Sequence, residues 1–488
     1  MSDPTPIPVP VSIDSVTKTP CSRRRFLKTA SVATFASSLA GITIVPRHVL
    51  GGPRHVPPSE KINIAAIGCG CQGYANLDVM ADQNIVALCD VDDEKGSVSY
   101  KRWPDAPRYR DFRKMLDKED SKIDAVLVAT PDHFHAVATM EAIRRGKHVY
   151  CEKPLTHSIA EARTIAEAAR KAGVATQMGN SGQWLDDIRV LCEMIWSGAI
   201  GKVRQVHIWT DRPMSGLRDT YWKQGIDRPT DTPPVPKTLD WDLWLGPAPA
   251  RPYHPAYVPF SWRGWWDFGT GALGDMGCHL FVPAFRALQL GLAPPTSVHA
   301  VSTAVNKETY PLASMVRYTF PARGFIPSIN YAGPVIEMPP VELIWYDGGM
   351  QPPRPRELEP GKTMGRSSNG LLFIGDDGII MVDGKGQNPR LLPESKMKAY
   401  KMPEPTLSRS PGHWVEWYNA IKGGPAAGSN FDDAAVLTET VLLGTIALRS
   451  ELREAMSEQR LEWDGTKFTN LPEANKFLSR EYRPGWTL

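Results

Sequence analysis

The stretch "KINIAAIGCGCQGYANLDVM", from Lys61 to Met80, decides the fold of this chain. Apolar residues alternate and then run together up to Ile67, which predicts a buried β-strand that the following glycines bring to an end. These glycines have the spacing G-x-G-x-x-G, and a segment of helical character follows them. A strand, a glycine turn and a helix in this order predict a site where the helix N-terminus binds a pyrophosphate group.

Each glycine of this turn has its own predicted task. Gly68 permits the tight turn, Gly70 lets a pyrophosphate approach the backbone, and Gly73 lets the helix pack closely on the strand. Gln72, at the start of the helix, is a further expected cofactor contact. Taken alone, the pattern is also compatible with a glycine-rich turn in an ordinary α/β unit.

A second buried strand, "NIVALCD", favours the dinucleotide interpretation because it ends at Asp90, twenty-two residues after Gly68. A carboxylate at this place accepts hydrogen bonds from both ribose hydroxyls of adenosine and repels a 2′-phosphate. The expected cofactor is therefore NAD rather than NADP.

The next segment, "KIDAVLVATPDHFHAVATMEAIRRGKHVYCEKP", continues the alternation of strands and helices. A strand over 123–129, a helix from about His133 to Arg145 and a further strand predict a parallel sheet with right-handed crossovers. Ligands bind outside the carboxyl ends of such strands. The residues expected to contact the cofactor there are Thr130, Pro131, His133, His135, Glu152, Lys153 and Asn180. For the two histidines, a structural role at the helix start is an equal alternative.

Four further motifs carry a resemblance to a known family: "ATPDHFHAV", "CEKPL", "MGN" at 178–180 and "GALGDMGCH" at 271–279. With the glycine turn, they make the chain from Lys61 onward resemble the Gfo/Idh/MocA oxidoreductases, named for glucose–fructose oxidoreductase and inositol dehydrogenase. The resemblance implies an N-terminal Rossmann domain, a C-terminal α/β domain with a large, mostly antiparallel sheet, and a homo-oligomer. It also implies hydride transfer between nicotinamide and a hydroxyl-bearing carbon of a sugar or polyol.

Three residues are expected to carry this chemistry. The resemblance places Lys153 near nicotinamide and substrate, with Asp275 and His279 completing the site. His279 has a pKa suited to accepting the hydroxyl proton, Asp275 can orient the imidazole from one helical turn earlier, and Lys153 can stabilise a developing alkoxide. The alternatives are a solvated turn lysine, an aspartate that caps a helix entered at Met276, and a satisfied core histidine.

One position departs from the family pattern. Related sequences usually carry an acidic residue three positions after the histidine, whereas this chain has Val282 followed by Pro283. The helix is expected to start late or to kink there, because proline disrupts a helix interior. This departure puts the polar contacts to the substrate in doubt more than the hydride transfer itself.

Residues 211–267 are rich in Trp, Pro and Asp. Aromatic side chains in this region can stack on the apolar faces of sugar rings, but Trp packing within loop covers is the commoner explanation. The expected substrate-site residues are Trp262, Arg263, Trp265 and Trp266, because they are nearest to His279 in the sequence.

The predicted organisation is a leader over 1–59, a Rossmann domain over 60–184 and a substrate and oligomerisation domain over 185–488. Half-buried strands are predicted in "VRQVHIWTD", "SVHAVSTAV", "ASMVRYTFP", "VELIWYDGG" and "GLLFIGDDGIIMVDG", and long loops over 333–340 and 350–363. The net charge of +3, with both signs mixed, argues against a nucleic-acid partner. The seven scattered cysteines indicate no metal site, and Cys69-x-Cys71 is interpreted as packing.

The leader contains "SRRRFLK" at 22–28, followed by a weakly apolar segment. This pattern resembles a twin-arginine export signal, so the Tat export machinery is an expected partner and the periplasm, or another exported location, the expected destination. The alternative is a mobile basic arm.

Three functions follow from these patterns. The leading hypothesis is an exported, NAD-dependent sugar, polyol or glycoside oxidoreductase whose cofactor is loaded before export and stays bound. The second is a redox-neutral glycoside hydrolase that oxidises a ring hydroxyl, eliminates the aglycone, adds water and reduces the sugar again. The third is a non-catalytic dinucleotide-binding scaffold.

Overall fold

The computed structural model describes residues 60–180, 182–215, 219–326, 336–366 and 368–488. The predicted export signal at 22–28 lies outside the described residues. From Lys61 to Leu488 the chain forms one compact unit, which contains two large sheets.

The first sheet has six parallel strands in the order β3-β2-β1-β4-β5-β6. The strands are β1 (Asn63–Ile67), β2 (Asn84–Cys89), β3 (Arg108–Tyr109), β4 (Ala125–Val128), β5 (His148–Glu152) and β6 (Thr176–Gly179). The central strands β1 and β4 are almost entirely buried, as expected for a parallel sheet covered on both faces. This strand order is the doubly wound order of a Rossmann fold, so the predicted sheet is confirmed.

Five helices connect these strands: α1 (Gln72–Val79), α2 (Asp93–Arg102), α3 (Phe112–Glu119), α4 (Asp132–Arg144) and α5 (Ile159–Ala172). The helix predicted from His133 to Arg145 is α4, displaced by one residue. α5 shows how local sequence sets the ends of a helix. It begins with a reciprocal capping box between Ser158 and Glu161, and it ends at Gly173, whose φ of 66° is left-handed.

The second sheet has eight strands in the order β17-β16-β15-β7-β14-β11-β10-β18. Its members are β7 (Val203–Trp209), β10 (Ser297–Ser302), β11 (Ser314–Phe320), β14 (Val341–Tyr346), β15 (Gly370–Gly375), β16 (Gly378–Asp383), β17 (Gln387–Leu392) and β18 (Leu461–Glu462). Only β7 and β14 pair in parallel within it. The predicted large, mostly antiparallel sheet is therefore confirmed, and β17 is a strand that the sequence did not reveal.

Two short ribbons complete the strands of the described chain. One pairs β8 (Met214–Ser215) with β9 (Asp219–Thr220), and the other pairs β12 (Gly324–Ile326) with β13 (Ile336–Met338). The loop predicted over 333–340 therefore contains a strand, because its residues find a hairpin partner that sequence alone does not disclose.

The remaining helices are α6 (Asp186–Trp196), α7 (Trp241–Leu245), α8 (Gly271–Leu280), α9 (Val282–Leu288), α10 (Glu394–Ala399), α11 (His413–Ile421), α12 (Phe431–Ala447) and α13 (Arg453–Glu458). α12 is buried over most of its length and contacts α5, α8, β6, β10 and β11. One hydrophobic core therefore runs from the first sheet to the second. No helix in the described part of the chain has the length and apolarity needed to cross a bilayer.

The break predicted near Pro283 lies between α8 and α9. α8 ends at Leu280, and α9 begins at Val282 with Pro283 in its first turn. Proline is tolerated there because the first-turn N–H groups have no partner within the helix. Val282 is buried, so this position serves packing.

Residues late in the chain complete the core of the first sheet. Trp417, on α11, is fully buried and packs edge-on against Tyr150 of β5, with 5.7 Å between the ring centroids. The Gln177 side chain of β6 donates to the backbone carbonyl of His413. The segment 413–421 therefore belongs structurally to the dinucleotide-binding part, although it lies far beyond residue 184.

We expect Trp417→Ala to lower the free energy of unfolding by about 3–5 kcal/mol, because it removes a fully buried indole from the core of the first sheet. Val415→Ala, on the exposed face of the same helix, is the matched control and should change stability by less than about 0.5 kcal/mol. Denaturant unfolding followed by circular dichroism measures both. Equal unfolding midpoints for the two variants would show that α11 does not stabilise this core.

Candidate active site

A cavity of about 720 Å³ opens at the carboxyl ends of the parallel strands. Its lining includes the residues directly after β1, β2, β4 and β5, where a doubly wound sheet binds its ligand. The volume lies within the range of about 300–1,000 Å³ that is usual for small-molecule sites.

The glycine turn forms one wall of this cavity and admits no larger residue. Gly68 has a φ of +79°, and a Cβ atom on Gly73 would lie 2.0 Å from the Gly68 carbonyl oxygen. A Cβ on Gly70 would lie 2.8 Å from the Lys95 carbonyl oxygen. α1 starts directly after the turn at Gln72, which lines the cavity. A turn this close to a helix N-terminus fits the pyrophosphate of a dinucleotide.

Asp90 lines the cavity at the end of β2, but its carboxylate bonds to the protein backbone. Oδ2 accepts from the N–H groups of Cys69 and Gly70 at 3.0 and 3.2 Å, and Oδ1 accepts from the N–H of Asp92 at 3.0 Å. Burial raises the pKa of Asp90 to about 6. The sequence did not predict this bracing of the turn. Because a carboxylate oxygen accepts about two hydrogen bonds, Oδ1 retains capacity for a ribose hydroxyl.

Thr130, Pro131 and Glu152 also line the cavity, as predicted. The Thr130 hydroxyl is buried and has no hydrogen-bond partner among the described residues, so a ligand in the cavity can satisfy it. Glu152 Oε1 accepts from Asn76 Nδ2 at 2.7 Å, and burial raises the pKa of this carboxyl. The crowded glycine turn and the unsatisfied hydroxyl together fit a bound dinucleotide.

His133 does not line the cavity. Its ring is enclosed by Trp244 and Phe268, with Nε2 3.0 Å from the Trp244 carbonyl oxygen. Burial, assisted by the charge of Arg480, lowers the pKa of His133 to about 3. The expected cofactor contact is therefore corrected to the structural alternative.

His135 is also buried away from the cavity, but it links two of the walls. Its Nδ1 lies 2.7 Å from the Pro154 carbonyl oxygen and its Nε2 lies 2.8 Å from the Thr130 carbonyl oxygen. Burial alone lowers the pKa of His135, but Cys151, Asp132 and the Pro154 carbonyl outweigh it and raise the pKa to about 9. A cationic ring that donates to both carbonyls ties the end of β4 to the end of β5.

The predicted contacts at Gln72 and Asn180 differ in their placement. Gln72 lines the cavity, and its side-chain nitrogen donates to Asn76 Oδ1. Asn180 is buried beside the cavity-lining Gly179, and neither atom of its amide has a partner among the described residues. Asn180 itself is not part of the cavity wall, so its predicted role as a direct contact has no support from its position.

The predicted catalytic residues meet at one end of the cavity. Lys153, directly after β5, donates from Nζ to Oδ1 and to the backbone carbonyl of Asp275, at 2.7 and 2.8 Å. Arg263 Nε donates to the same Oδ1 at 3.0 Å. Although burial opposes ionisation, these two cations hold the pKa of Asp275 well below its usual range. Lys153 is therefore not the solvated turn lysine of the alternative reading.

Asp275 and His279 both lie on α8 and both line the cavity. α8 begins at Gly271 after Thr270, so Asp275 is inside the helix and the helix-cap alternative is wrong. The predicted partner of Asp275 was the imidazole, whereas its Oδ1 is shared by two cations. His279 is 8% exposed and faces the cavity from the next helical turn.

The four residues expected at the substrate wall divide into two pairs. Trp262 and Arg263 line the cavity, with the guanidinium 4.2 Å from the indole centroid. Trp265 and Trp266 are buried elsewhere, and their indole nitrogens donate to the carbonyls of Ala256 and Asn306. For these two residues the substrate prediction is corrected to packing, because the turn of residues 261–264 directs them into the protein.

Arg212, Lys385 and Trp486 are among the lining residues that were not found from the sequence. Lys385 lies in the turn between β16 and β17, and Trp486 lies two residues before Leu488 in the C-terminal tail. None of them belongs to a motif that predicts a function. The glycines on both sides of Lys385 predict only a turn. Within the described ranges, no group of three or more His, Cys, Asp or Glu residues has the arrangement of a metal site.

Two family models match this chain in succession. The model described as "Oxidoreductase family, NAD-binding Rossmann fold" matches residues 62–180, and the one described as "Oxidoreductase family, C-terminal alpha/beta domain" matches residues 186–322. They correspond to the first sheet and to the beginning of the second part, and together they match just over half of the chain.

Among named relatives, a myo-inositol 2-dehydrogenase from Thermotoga maritima is 28% identical over 155 residues, which are 31% of this chain and 46% of the relative. A glycosyl hydrolase family 109 protein from Shewanella pealeana is 26% identical over 206 residues, 37% of this chain and 44% of that protein. The chain thus spans about half the length of the curated relatives it matches.

The WlbA dehydrogenase from Bordetella pertussis, crystallised with NADH and UDP-GlcNAcA, has the same fold. Its TM-score is 0.52 at 16% identity, and the match covers 83% of this chain and 99% of that structure. The sheet order, the glycine turn and the two matching models lead to one conclusion: the chain belongs to the Gfo/Idh/MocA oxidoreductase family.

Proposed function

We propose that this protein is an NAD-dependent oxidoreductase that acts on a hydroxyl-bearing carbon of a sugar, polyol or glycoside. When bound, the nicotinamide accepts or supplies hydride. The observation that carries the proposal is that Lys153, Asp275 and His279 open into the same cavity as the glycine turn.

Lys153 is oriented to hold a substrate oxygen. Its ammonium group has three donors, and two of them are used by the carboxylate and the carbonyl of Asp275. The third donor can bind the reacting hydroxyl and stabilise the negative charge that develops on it. Asp275 therefore acts as a positioning residue that fixes the direction of the ammonium group.

His279 is the proposed general base. An imidazole at the cavity wall can take the hydroxyl proton near neutral pH, and it reaches the cavity from the same helix as Asp275. Proton removal by His279 and charge stabilisation by Lys153 are the two tasks that alcohol oxidation sets for the protein.

NAD is the preferred dinucleotide in this proposal. Asp90 and Asp92 lie at the end of β2 and line the cavity, so a 2′-phosphate placed there would meet two carboxyl groups. The neighbouring cations of the lining, Lys95 and Arg110, are engaged with Glu94 and Asp93.

The C-terminal tail supports the proposal that the cofactor is held tightly. Trp486 lines the cavity beside Phe112, with 6.3 Å between the stacked ring centroids, and the Arg113 guanidinium lies 4.5 Å from the indole. The tail is fastened by Arg483, which donates to Asp242 Oδ1 at 2.6 Å. A cofactor that leaves the cavity on this side therefore has to displace anchored side chains.

A second segment covers the same side. The backbone of residues 238–240 bonds to the loop after β2, with Asp93 N 3.0 Å from the Thr238 carbonyl and Asp240 N 2.9 Å from the Val91 carbonyl. Leu239 from this segment and Leu243 from α7, which follows it, line the cavity. An enclosed cofactor agrees with the proposed export, since a dinucleotide loaded before translocation has to stay bound afterwards.

Export through the Tat machinery rests on the leader at 22–28, and a homo-oligomer rests on the resemblance to the family. Both are parts of this proposal and await direct tests. Fractionation of the native cells, and the mass of the purified protein in solution, are the corresponding measurements.

The second candidate function is redox-neutral glycoside hydrolysis. It is favoured by the similarity to a protein named glycosyl hydrolase family 109, and it needs the same residues in the same positions. Aryl glycosides separate the two candidates. Release of the aglycone without net NADH, with deuterium exchange at the carbon next to the oxidised one, supports hydrolysis.

We expect Lys153→Ala and His279→Ala each to lower turnover by about 10²–10⁴-fold, because each removes a group that acts on the reacting hydroxyl. The rate at which bound NADH forms in a single turnover, over a panel of monosaccharides, polyols and glycosides, is the measurement. Lys171→Ala, at an exposed position of α5, is the matched control.

Mass spectrometry of the nucleotide released on denaturation should show that both variants still carry NAD. If both turn over every substrate at the rate of the unaltered protein, the catalytic proposal fails and the non-catalytic scaffold is favoured.

We expect Trp486→Ala to speed the release of bound NADH by about tenfold, which corresponds to the loss of ~1.4 kcal/mol of binding free energy. The rate is measured by chasing NADH with excess NAD and following nicotinamide fluorescence. Trp486→Phe keeps an aromatic wall and is the control. Release at an unchanged rate in the alanine variant would mean that the tail does not retain the cofactor.

A further inference from the structure

The catalytic end of the cavity is rich in cations. Within the described lining residues it contains Lys153, Arg212, Arg263 and Lys385, together with the carboxyl groups of Glu152 and Asp275. These four cations come from four different places in the fold, so their convergence is a property of the tertiary structure and not of one basic segment.

Two of these cations are occupied by the catalytic arrangement. Lys153 and Arg263 share Oδ1 of Asp275, at 2.7 and 3.0 Å. The charge of Asp275 therefore offsets only part of their combined charge. Glu152 is a second carboxyl group at this end, and burial raises its pKa.

The other two cations belong to the second sheet. Arg212 follows β7, bonds to Asp211 Oδ1 at 2.5 Å and stacks 3.4 Å from the Tyr221 ring centroid. Lys385 lies in the turn after β16 with a φ of 63°. Burial, and then the positive charge of Lys153, lowers the pKa of Lys385. Arg212 acts in the same direction, whereas the carboxyl groups of Asp275 and Glu152 act against it.

All four of these side chains line the same cavity, so one ligand there can contact several of them. Asp275 and Asp211 offset part of this positive charge, and an anionic group of a ligand bound among the four cations would offset more of it. Arg212 offers a planar fork and Lys385 a point charge, and both recognise carboxylates and phosphates. Neither residue takes part in the proposed proton or hydride steps.

We propose that the substrate carries an anionic group, a carboxylate or a phosphate, that binds at Arg212 and Lys385 while the reacting hydroxyl lies at Lys153 and His279. This inference rests on the proposed oxidoreductase function and specifies its substrate class as acidic sugars. It also accounts for the presence of Val282 where related sequences have an acidic residue, because the polar contacts to the substrate come from the second sheet instead of from α9.

The test uses the full chain with its bound nucleotide and three matched substrates: a neutral hexose, the corresponding hexuronate and the hexose 6-phosphate. We expect kcat/KM for one of the two acidic sugars to exceed that for the neutral sugar by about 10- to 100-fold. The acidic sugar with the higher kcat/KM identifies the recognised anion as carboxylate or phosphate. Equal values for all three sugars would overturn the inference and leave the oxidoreductase function standing.

Lys385→Gln should reduce the preference for the acidic sugar by about tenfold or more, chiefly through KM. The same change at the exposed Lys398 is the matched control and should leave the preference unaltered. Arg212→Gln is a second variant at the proposed anion site. A preference that survives both substitutions would refute these residues as the anion site.

Failure of the underlying function gives a different result. If no sugar reduces the nucleotide, binding of the hexuronate and of the hexose 6-phosphate is measured by calorimetry with unaltered protein and with Lys385→Gln. Binding that weakens by about tenfold in the variant supports the anion site without oxidoreductase activity. Absence of binding to both acidic sugars refutes it.

Discussion

The carboxylate of Asp275 is the interaction on which the catalytic end of the cavity depends. It draws together Lys153 from the end of β5 and Arg263 from the turn at 261–264, and it sits on α8, the helix that also carries His279. Removing one member of such a buried ion cluster leaves the others without compensation, which costs far more than an exposed ion pair contributes. One side chain therefore links the end of β5, the turn at 261–264 and α8.

The surroundings of this cluster are rigid, which suits the proposed catalysis. The cationic ring of His135 ties the Thr130 carbonyl to the Pro154 carbonyl, and Pro154 directly follows Lys153. α8 is in turn packed against α12, which spans the core between both sheets. The ammonium group thus belongs to a wall whose backbone is fixed from two sides, so little reorganisation is needed when charge develops on a substrate oxygen.

Sequence predicted those features that are encoded locally. The glycine turn was predictable because Gly68 and Gly73 are required by backbone geometry within six residues, and the strands were predictable from their apolar runs. The sharing of Asp275 between two cations was not, since Lys153 and Asp275 are 122 positions apart. For the tryptophans, proximity in sequence to His279 was a poor guide. Side-chain direction in a short turn decides which indole faces a cavity, and Trp262 does so while Trp265 does not.

The retained cofactor and the cationic substrate end have a joint consequence for turnover. If the tail anchored by Arg483 and the segment at 238–240 keep the nucleotide in place, its redox state has to be restored within the same cavity. A second substrate then has to enter at the end lined by Arg212 and Lys385 if the retained nucleotide occupies the part lined by Trp486 and Leu243. That second substrate meets the same charges as the first. In a net redox cycle, the substrate that reduces the nucleotide and the one that reoxidises it would therefore bind at the same cationic site. In a redox-neutral cycle, a single substrate would bind there for both steps.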